Sequence, residues 1–148
     1  GFLASYNGKT FTSLTSSLDS ALSTNDKLAY PNSVNKILWN AQTKTWILGG
    51  GLPISLVGSP EHAWVASYKP GDRPTFKNVP AIPAGSLSTS QSSVLSLAYS
   101  GSTLIVGGYD SPASNRGVLF FYDNATTTIT NMTSSLGNMG YVDWIGAG

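Results

Sequence analysis

The chain has 148 residues, a formal net charge of +1, 41% hydrophobic residues and only 10% charged residues. This length suffices for one domain with a buried core, and the few basic residues form no cluster that would favour a nucleic-acid partner. Because cysteine is absent, disulfides, thiolate metal ligands and cysteine nucleophiles are excluded.

The N-terminal part of the chain is predicted to begin with a strand at residues 2–6. Throughout the chain the apolar runs are short, rich in β-branched or aromatic residues, and separated by Gly, Pro, Asn and Ser clusters, which favours strands over helices. Residues 19–33 have a cap-like start at Asp19 that would suit one helical turn, but Pro31 closes it off. We therefore predict a surface loop there.

Residues 30–80 contain three predicted strands. The first, at 33–39, ends in an aromatic residue and is followed by a short polar turn. The second ends in a glycine pair at 49–50, and the third covers 64–68. Strands joined by a short polar turn are typical of antiparallel hairpins.

The same order returns in residues 93–136. A strand at 93–99 precedes an apolar strand that ends in a glycine pair at 107–108, and a third strand covers 118–122. The second strands, near 44–49 and 103–108, are therefore expected at equivalent positions of two units, with each glycine pair at the same corner.

A second recurrence links the two ends of the chain. The motif Thr-Ser-Ser-Leu at 15–18 returns at 133–136, and residues 2–6 match the third strands of both later units. Met139 to Trp144 has the pattern of a further first strand. Such repetition is the sequence signature of a repeat architecture.

The segment from Leu104 to Ile129 resembles one kelch repeat of a β-propeller. It has an apolar strand that closes on a double glycine, a variable loop, the pair Tyr122-Asp123, and a Thr three residues after the Asp. The kelch pattern has an aromatic residue where this chain has Ile129. The resemblance implies an all-β fold of four-stranded antiparallel propeller blades, with about two and a half repeats forming an incomplete propeller.

We interpret the chain as a single β-propeller segment over 1–148. Its divisions are an outer half-blade at 1–18, a blade at 30–80, a blade at 93–136 and the start of the next blade at 139–148. A closed propeller has at least four blades. We therefore expect a segment of a longer protein or a ring completed by other chains. The two partial blades are expected to pair with each other, within the chain or between copies, or to continue into further polypeptide.

Three features favour an extracellular or cell-surface location. Glycosylation sequons begin at Asn124 and Asn131, at the last strand and turn of the best-formed repeat. Ser and Thr make up 36 of 148 residues, and a chain with few carboxylates carries few charges that change as the pH falls. The pattern also resembles kelch-like repeats of large surface and secreted proteins of microbes.

The sequence offers little catalytic or metal-binding chemistry. His62 is the single histidine and no Gly-x-Ser-x-Gly motif occurs. One histidine without cysteine does not supply a zinc or copper site, and the seven acidic residues form no calcium-loop motif. Asp123 is interpreted as the acid that caps the turn between third and fourth strands. We predict no catalytic residue, no metal and no cofactor.

A glycoside hydrolase is the main enzymatic alternative, because propellers host many sugar-cleaving enzymes and the reaction uses two carboxylates. Glu61 and Asp110 both follow second strands and would supply that pair. Residues 5–11 faintly resemble the Asp-box turn of sialidases, with Asn7 in place of the Asp. The chain has too few arginines for a sialic-acid site.

Binding is the function that the remaining residues favour. A predicted loop over 109–116 carries Tyr109, Asp110 and Arg116, which suits contact with a protein or a glycan. Aromatic residues at repeat-equivalent strand positions are expected to pack between blades, and these are Trp39, Trp46, Trp64, Tyr68 and Tyr99.

We therefore predict a non-catalytic extracellular module for structural contacts or adhesion within a larger surface protein or assembly. The expected partners are other protein chains, further blades or glycans, without nucleic acid. No membrane span is expected in this segment, because its apolar runs are far too short. A carbohydrate-binding or glycoside-hydrolase propeller is one alternative, and a subunit of an extracellular filament or surface layer is another.

Overall fold

The computed structural model describes residues 3–22, 33–51, 63–71, 75–83, 86–87, 91–111 and 116–146. Most of the regular structure in these residues is antiparallel β, which confirms the all-β prediction. In chain order the strands are β1 (Ala4–Tyr6), β2 (Phe11–Ser13), β3 (Ser33–Asn40), β4 (Thr45–Gly51), β5 (Trp64–Lys69), β6 (Thr75–Asn78), β7 (Gln91–Ser100), β8 (Thr103–Ser111), β9 (Arg116–Asp123) and β10 (Thr128–Asn131). Helix α1 (Thr15–Ala21) and a 3₁₀ helix (Thr133–Leu136) are the helical elements of this part of the chain.

The strands form three antiparallel groups that follow the sequence order. Strands β1 and β2 make a two-stranded sheet, here called the N-terminal hairpin. Strands β3 to β6 pair in succession as the first meander, and β7 to β10 pair in succession as the second meander. A single pair, Gly51 with Ser93, joins the two meanders into one curled eight-stranded sheet.

Both meanders have the same register at their glycine pairs. In the first, Val34 pairs with Gly50 and the pairing then shifts by one residue at Asn35. In the second, Val94 pairs with Gly108 and the same shift follows. The glycine pairs thus lie opposite a β-bulge in each meander, where the bulged strand bends.

The outer hairpins also share one register. A tyrosine pairs across the strands with an apolar residue at the equivalent position of all three groups: Tyr6 with Phe11, Tyr68 with Phe76, and Tyr122 with Ile129. One backbone hydrogen bond then closes each hairpin, from Leu14 N to Leu3 O (2.8 Å), from Val79 N to Val65 O (2.9 Å), and from Met132 N to Leu119 O (2.8 Å). The N-terminal hairpin therefore has the pairing of the third and fourth strands of each meander.

The repeated Thr-Ser-Ser-Leu motif has one role in both of its copies. Thr15 Oγ1 accepts a hydrogen bond from Leu3 N at 2.9 Å, and Thr133 Oγ1 accepts one from Leu119 N at 3.2 Å. Each threonine is the first residue of a helix, and its hydroxyl links that helix to the strand region before it, at β1 or in β9. The sequence spacing between the copies thus corresponds to one structural position.

Two hydrophobic cores lie on opposite sides of the first meander, because successive side chains of a strand point to opposite faces. Ile47 and Val65 face the second meander, where they join a core with Val106 and Phe120. Leu48, on the other side, belongs to the second core together with Leu3 and Leu14, which flank the N-terminal hairpin, and with Leu18 of α1. The N-terminal hairpin, the first meander and the second meander are therefore stacked in sequence order.

Residues 23–32 of the predicted surface loop over 19–33 lie outside the described residues. Helix α1 corrects the prediction for residues 19–21. It spans Thr15–Ala21, seven residues. Leu14, Leu18 and Leu22 are each at most 6% exposed and belong to the second core. Leucines four residues apart lie on one helix face, so burial stabilises a segment whose Ser-rich sequence favours helix only weakly.

The C-terminal segment, residues 139–146, corrects the prediction of a strand from Met139 to Trp144, because no strand is assigned to it. It nevertheless crosses the second meander: Gly117 N donates to Met139 O, and Val142 N donates to Gly108 O at 3.0 Å. Its backbone therefore pairs irregularly with two strands of the sheet. The 3₁₀ helix and the following turn set this crossing.

Candidate functional site

Residues 109–111 and Arg116 of the predicted loop over 109–116 belong to strands, which corrects the boundaries of that loop. Strand β8 continues to Ser111 and β9 begins at Arg116. Residues 112–115 lie outside the described residues. Tyr109 and Asp110 therefore belong to the sheet, and both side chains are 0% exposed. These two residues do not present a surface to a partner in this structure.

Asp110 and Arg116 form a salt bridge between adjacent strands. They are directly opposed in the β8–β9 register, and Arg116 Nη2 and Nε donate to Asp110 Oδ2 at 2.9 and 3.2 Å. Arg116 Nη2 also donates to the carbonyl oxygen of Ser86 at 3.2 Å. The carboxylate is fully buried while the guanidinium side chain is 48% exposed, so the arginine compensates a buried charge and links β9 to residue 86.

Tyr109 packs beneath the C-terminal segment. Its ring meets that of Tyr141 edge to face, with centroids 6.5 Å apart at 82°. Burial raises the pKa of Tyr109 from 10.0 to about 12, because the phenolate would lose its hydration.

We expect the ionisation of Tyr109 to lower the free energy of unfolding as the pH rises from about 10 to about 12. The folded chain keeps a phenolic proton that the unfolded chain releases, so the stability present below pH 10 is lost as the pH approaches the folded pKa. Urea unfolding across this range measures the effect, and Tyr109→Phe is the control. The free energy of unfolding of the unaltered chain should fall relative to that of Tyr109→Phe as the pH rises. Parallel curves would contradict the assigned cause.

Both predicted glycosylation residues are exposed. Asn124 lies in the β9–β10 turn, where its Nδ2 donates to Ser102 O at 2.8 Å. Asn131 ends β10, an edge strand, and its Oδ1 accepts from Thr133 N at 2.9 Å. Both amides are therefore at the outer rim of the second meander.

Asp123 has the structural role that the sequence suggested. Its Oδ1 accepts from Ala125 N at 2.8 Å, and this hydrogen bond, with that of Thr126, lowers the pKa of the carboxyl. Asn7 does the same in the N-terminal hairpin, where its Oδ1 accepts from Lys9 N and Thr10 N at 3.0 and 2.9 Å. The Asn that stands where an Asp-box would have Asp therefore serves to form the turn.

The described residues contain no group of three His, Cys, Asp or Glu residues arranged to hold a metal. His62 and Glu61 lie outside the described residues. Asp110, the other half of the suggested carboxylate pair, is buried under Arg116. A buried, ion-paired carboxylate has no open side for a sugar ring.

An apolar surface at the N-terminal end of the fold is the feature that sequence reasoning missed. Tyr6 and Phe11 stack with ring centroids 4.6 Å apart, and Trp39 lies 4.9 Å from Trp46. With Ile37, these side chains are between 39% and 77% exposed. We call these five residues the leading face.

A groove of about 330 Å³ runs between the N-terminal hairpin and the first meander, and Tyr6, Ile37 and Trp46 line it. The exposure of Trp39 and Trp46 corrects the prediction that both pack between units. Trp64, in contrast, is 3% exposed. The sequence signal was present as aromatic residues at strand ends, but it does not reveal which sheet face another unit covers.

In the described part of the chain, no helix is long and apolar enough to cross a membrane. Comparisons with protein-family models, with curated proteins and with solved structures found no match for this chain.

Proposed function

We propose that this chain is a non-catalytic, kelch-like β-propeller module of an extracellular or cell-surface protein, in which it makes structural contacts or mediates adhesion. The observation that carries the proposal is the shared register of the N-terminal hairpin and the two meanders. Units that repeat in sequence and stack in sequence order bury one face against each neighbour. Such an arrangement is suited to contact between units.

The charged and polar residues support binding over catalysis. The Asp110 carboxylate is fully buried against Arg116, and Asp123 accepts hydrogen bonds within its own turn. These acids stabilise the sheet and its turns. A hydrolase built on the same fold would need accessible carboxylates on one face.

An extracellular location is supported by the positions of the sequons. Asn124 and Asn131 are both exposed at the outer rim of the sheet, where an attached sugar would not disturb either hydrophobic core. We expect both to be glycosylated when the chain is secreted from a glycosylating eukaryotic host. Intact mass should show two glycans, and Asn124→Gln or Asn131→Gln should each remove one. A secreted chain of unmodified mass would contradict this prediction.

The same secreted material tests the absence of catalysis. We expect no turnover of chromogenic glycosides above that of the Asp110→Asn variant. Turnover that this substitution abolishes would establish the hydrolase alternative instead.

Carbohydrate binding is a second candidate, because the exposed pair Trp39 and Trp46 offers aromatic faces to a sugar. A glycan array decides it. Binding lost in Trp46→Ser would favour a lectin-like function, whereas an empty array favours protein contacts.

A further inference from the structure

We propose that copies of this chain associate head to tail. The second meander and C-terminal segment of one copy would cover the leading face of the next copy. The covering surface, here called the trailing face, consists of Ile105, Leu119, Phe121 and Trp144. The inference deepens the proposed function and rests on its stacking of repeat units, and it names the partner as a second copy of this chain.

The trailing face lies on the side of the second meander that, among the described residues, only the C-terminal segment crosses. Ile105 pairs with Phe121, and Leu119 pairs with Gly107, so these side chains share the face opposite the first core. All three are only partly buried. The same positions of the first meander are Ile47 and Val65, which the second meander covers to 4% and 1% exposure. The second meander thus has an equivalent face that is less completely buried than that of the first meander.

The leading face is the complementary half of that interface. Its counterparts in the second meander are buried against the first meander: Leu97 corresponds to Ile37 at 3% exposure, Leu104 to Trp46 at 0%, and Tyr122 to Tyr6 at 6%. Tyr6 and Trp46 are instead 58% and 39% exposed. Their positions in the repeat assign them to an interface that the described residues leave open.

The C-terminal segment reproduces the way in which β7 docks on the first meander. A side chain at Gly49 would meet Val94 and Leu97, and one at Gly107 would meet Val142 and Ile145. In each contact a side chain also donates a hydrogen bond to the carbonyl oxygen of the docked valine: Asn35 Nδ2 donates to Val94 O and Ser96 Oγ donates to Val142 O, both at 3.1 Å.

Residues 139–146 therefore occupy part of the trailing face in the way that β7 occupies the first meander. Trp144, in the same segment, remains 77% exposed. An indole at this place is available to the groove that Ile37 and Trp46 line on the next copy.

Two unlike faces that fit each other make a heterologous contact, which continues from copy to copy until a ring closes or a chain grows. The leading and trailing faces are the two halves of a contact that already occurs between the first and second meanders. A second copy supplies the matching half without any new surface. Exposed apolar patches of this kind mark association surfaces.

Sedimentation velocity across a wide concentration range tests the proposal with one variant for each face. Phe11→Asp alters the leading face, and Trp144→Asp alters the trailing face; both side chains are 77% exposed, so the fold should tolerate the change. Phe121→Ser is a second trailing variant, because Ser67 holds the equivalent position of the first meander. Thr12→Asp is the matched control. Thr12 is exposed on β2, and Lys77, at the equivalent position of the first meander, is exposed although the second meander packs on that unit.

We expect the unaltered chain and Thr12→Asp to gain mass with concentration, while each face variant alone remains a monomer. An equimolar mixture of Phe11→Asp and Trp144→Asp should form a one-to-one dimer, because one intact junction remains between the two variants. A monomeric unaltered chain would overturn the proposal. So would a mixture that stays monomeric. A face variant that still dimerises by itself is the outcome for a two-fold symmetric contact through the other face and would likewise overturn the proposal, whereas a monomeric unaltered chain is the outcome for a leading face that binds another ligand. Neither result alters the glycan and hydrolysis tests of the proposed function.

Discussion

Phe120→Ala should reduce the free energy of unfolding by about 4 kcal/mol, the range for emptying a core position of a phenyl ring. Phe120 is 1% exposed and lies in the core between the meanders, on the same face as Leu104, Val106 and Tyr122. The loss combines the transfer free energy of the ring with the cavity left between two sheets that cannot close on it. Because whole domains have about 5–15 kcal/mol of stability, this one change removes much of the total.

Phe121→Ala is the matched control. Phe121 is the next residue of β9 and points to the opposite, partly buried face. Its removal should cost about 1–2 kcal/mol, since less apolar area leaves water. Urea unfolding in the Phe11→Asp background removes any contribution from self-association. Phe120→Leu keeps the measurement possible if the alanine variant is largely unfolded. Equal losses for Phe120→Ala and Phe121→Ala would contradict the assignment of the two faces.

The strands were predictable because their signals are local. An apolar run, a glycine pair and a polar turn define β4 and β8 whatever packs on them, and the predicted second strands near 44–49 and 103–108 agree with Thr45–Gly51 and Thr103–Ser111. Leu18 of α1 and the flanking Leu14 and Leu22 also carried a signal, but one two-turn helix gives too few periods to stand out in a Ser-rich stretch.

Burial was less predictable because it depends on what covers a face. Trp46 and Leu104 occupy the same register position, yet one is 39% exposed and the other 0%. The difference arises from the neighbouring unit, because the first meander, which shares a core with Leu104, has four strands, whereas the N-terminal hairpin has two. Tyr109 and Asp110 were misplaced for a related reason, since glycine pairs suggested a strand end where the backbone continues for three residues beyond Gly108.

In the candidate site too, the features with a local sequence signal were predictable and those that depend on strand pairing were not. Short sequence motifs identified the Asp123 turn and the sequon positions, because a turn-capping Asp and an Asn-x-Thr triplet are both local patterns. The salt bridge of Asp110 with Arg116 needed the β8–β9 register, which brings the two residues opposite each other. The sequence spacing of Asp110 and Arg116 does not reveal whether the two residues form a buried salt bridge or lie exposed in a loop.

Gly108→Ala should cost about 3 kcal/mol, at the upper end for forcing an atom into a packed site. A Cβ at this position would collide with the carbonyl oxygen of Ser93 and lie 3.1 Å from Val94 Cα. Both are backbone atoms of β7 at its bulge, so relief requires the strands to separate. Gly50 has the equivalent contact with the Ser33 carbonyl oxygen, which explains why both units have glycine here.

Gly140→Ala is the control for Gly108→Ala, because a Cβ at Gly140 meets no atom within 4 Å. It should change stability by no more than about 0.5 kcal/mol. Urea unfolding gives the two losses, and amide exchange should show faster opening of β7 and β8 only in Gly108→Ala. If Gly108→Ala matched Gly140→Ala in both measurements, the close approach of the two strands would not be what requires glycine. Since Val142 N also donates to the Gly108 carbonyl oxygen, the substitution should loosen the C-terminal segment and weaken association through the trailing face.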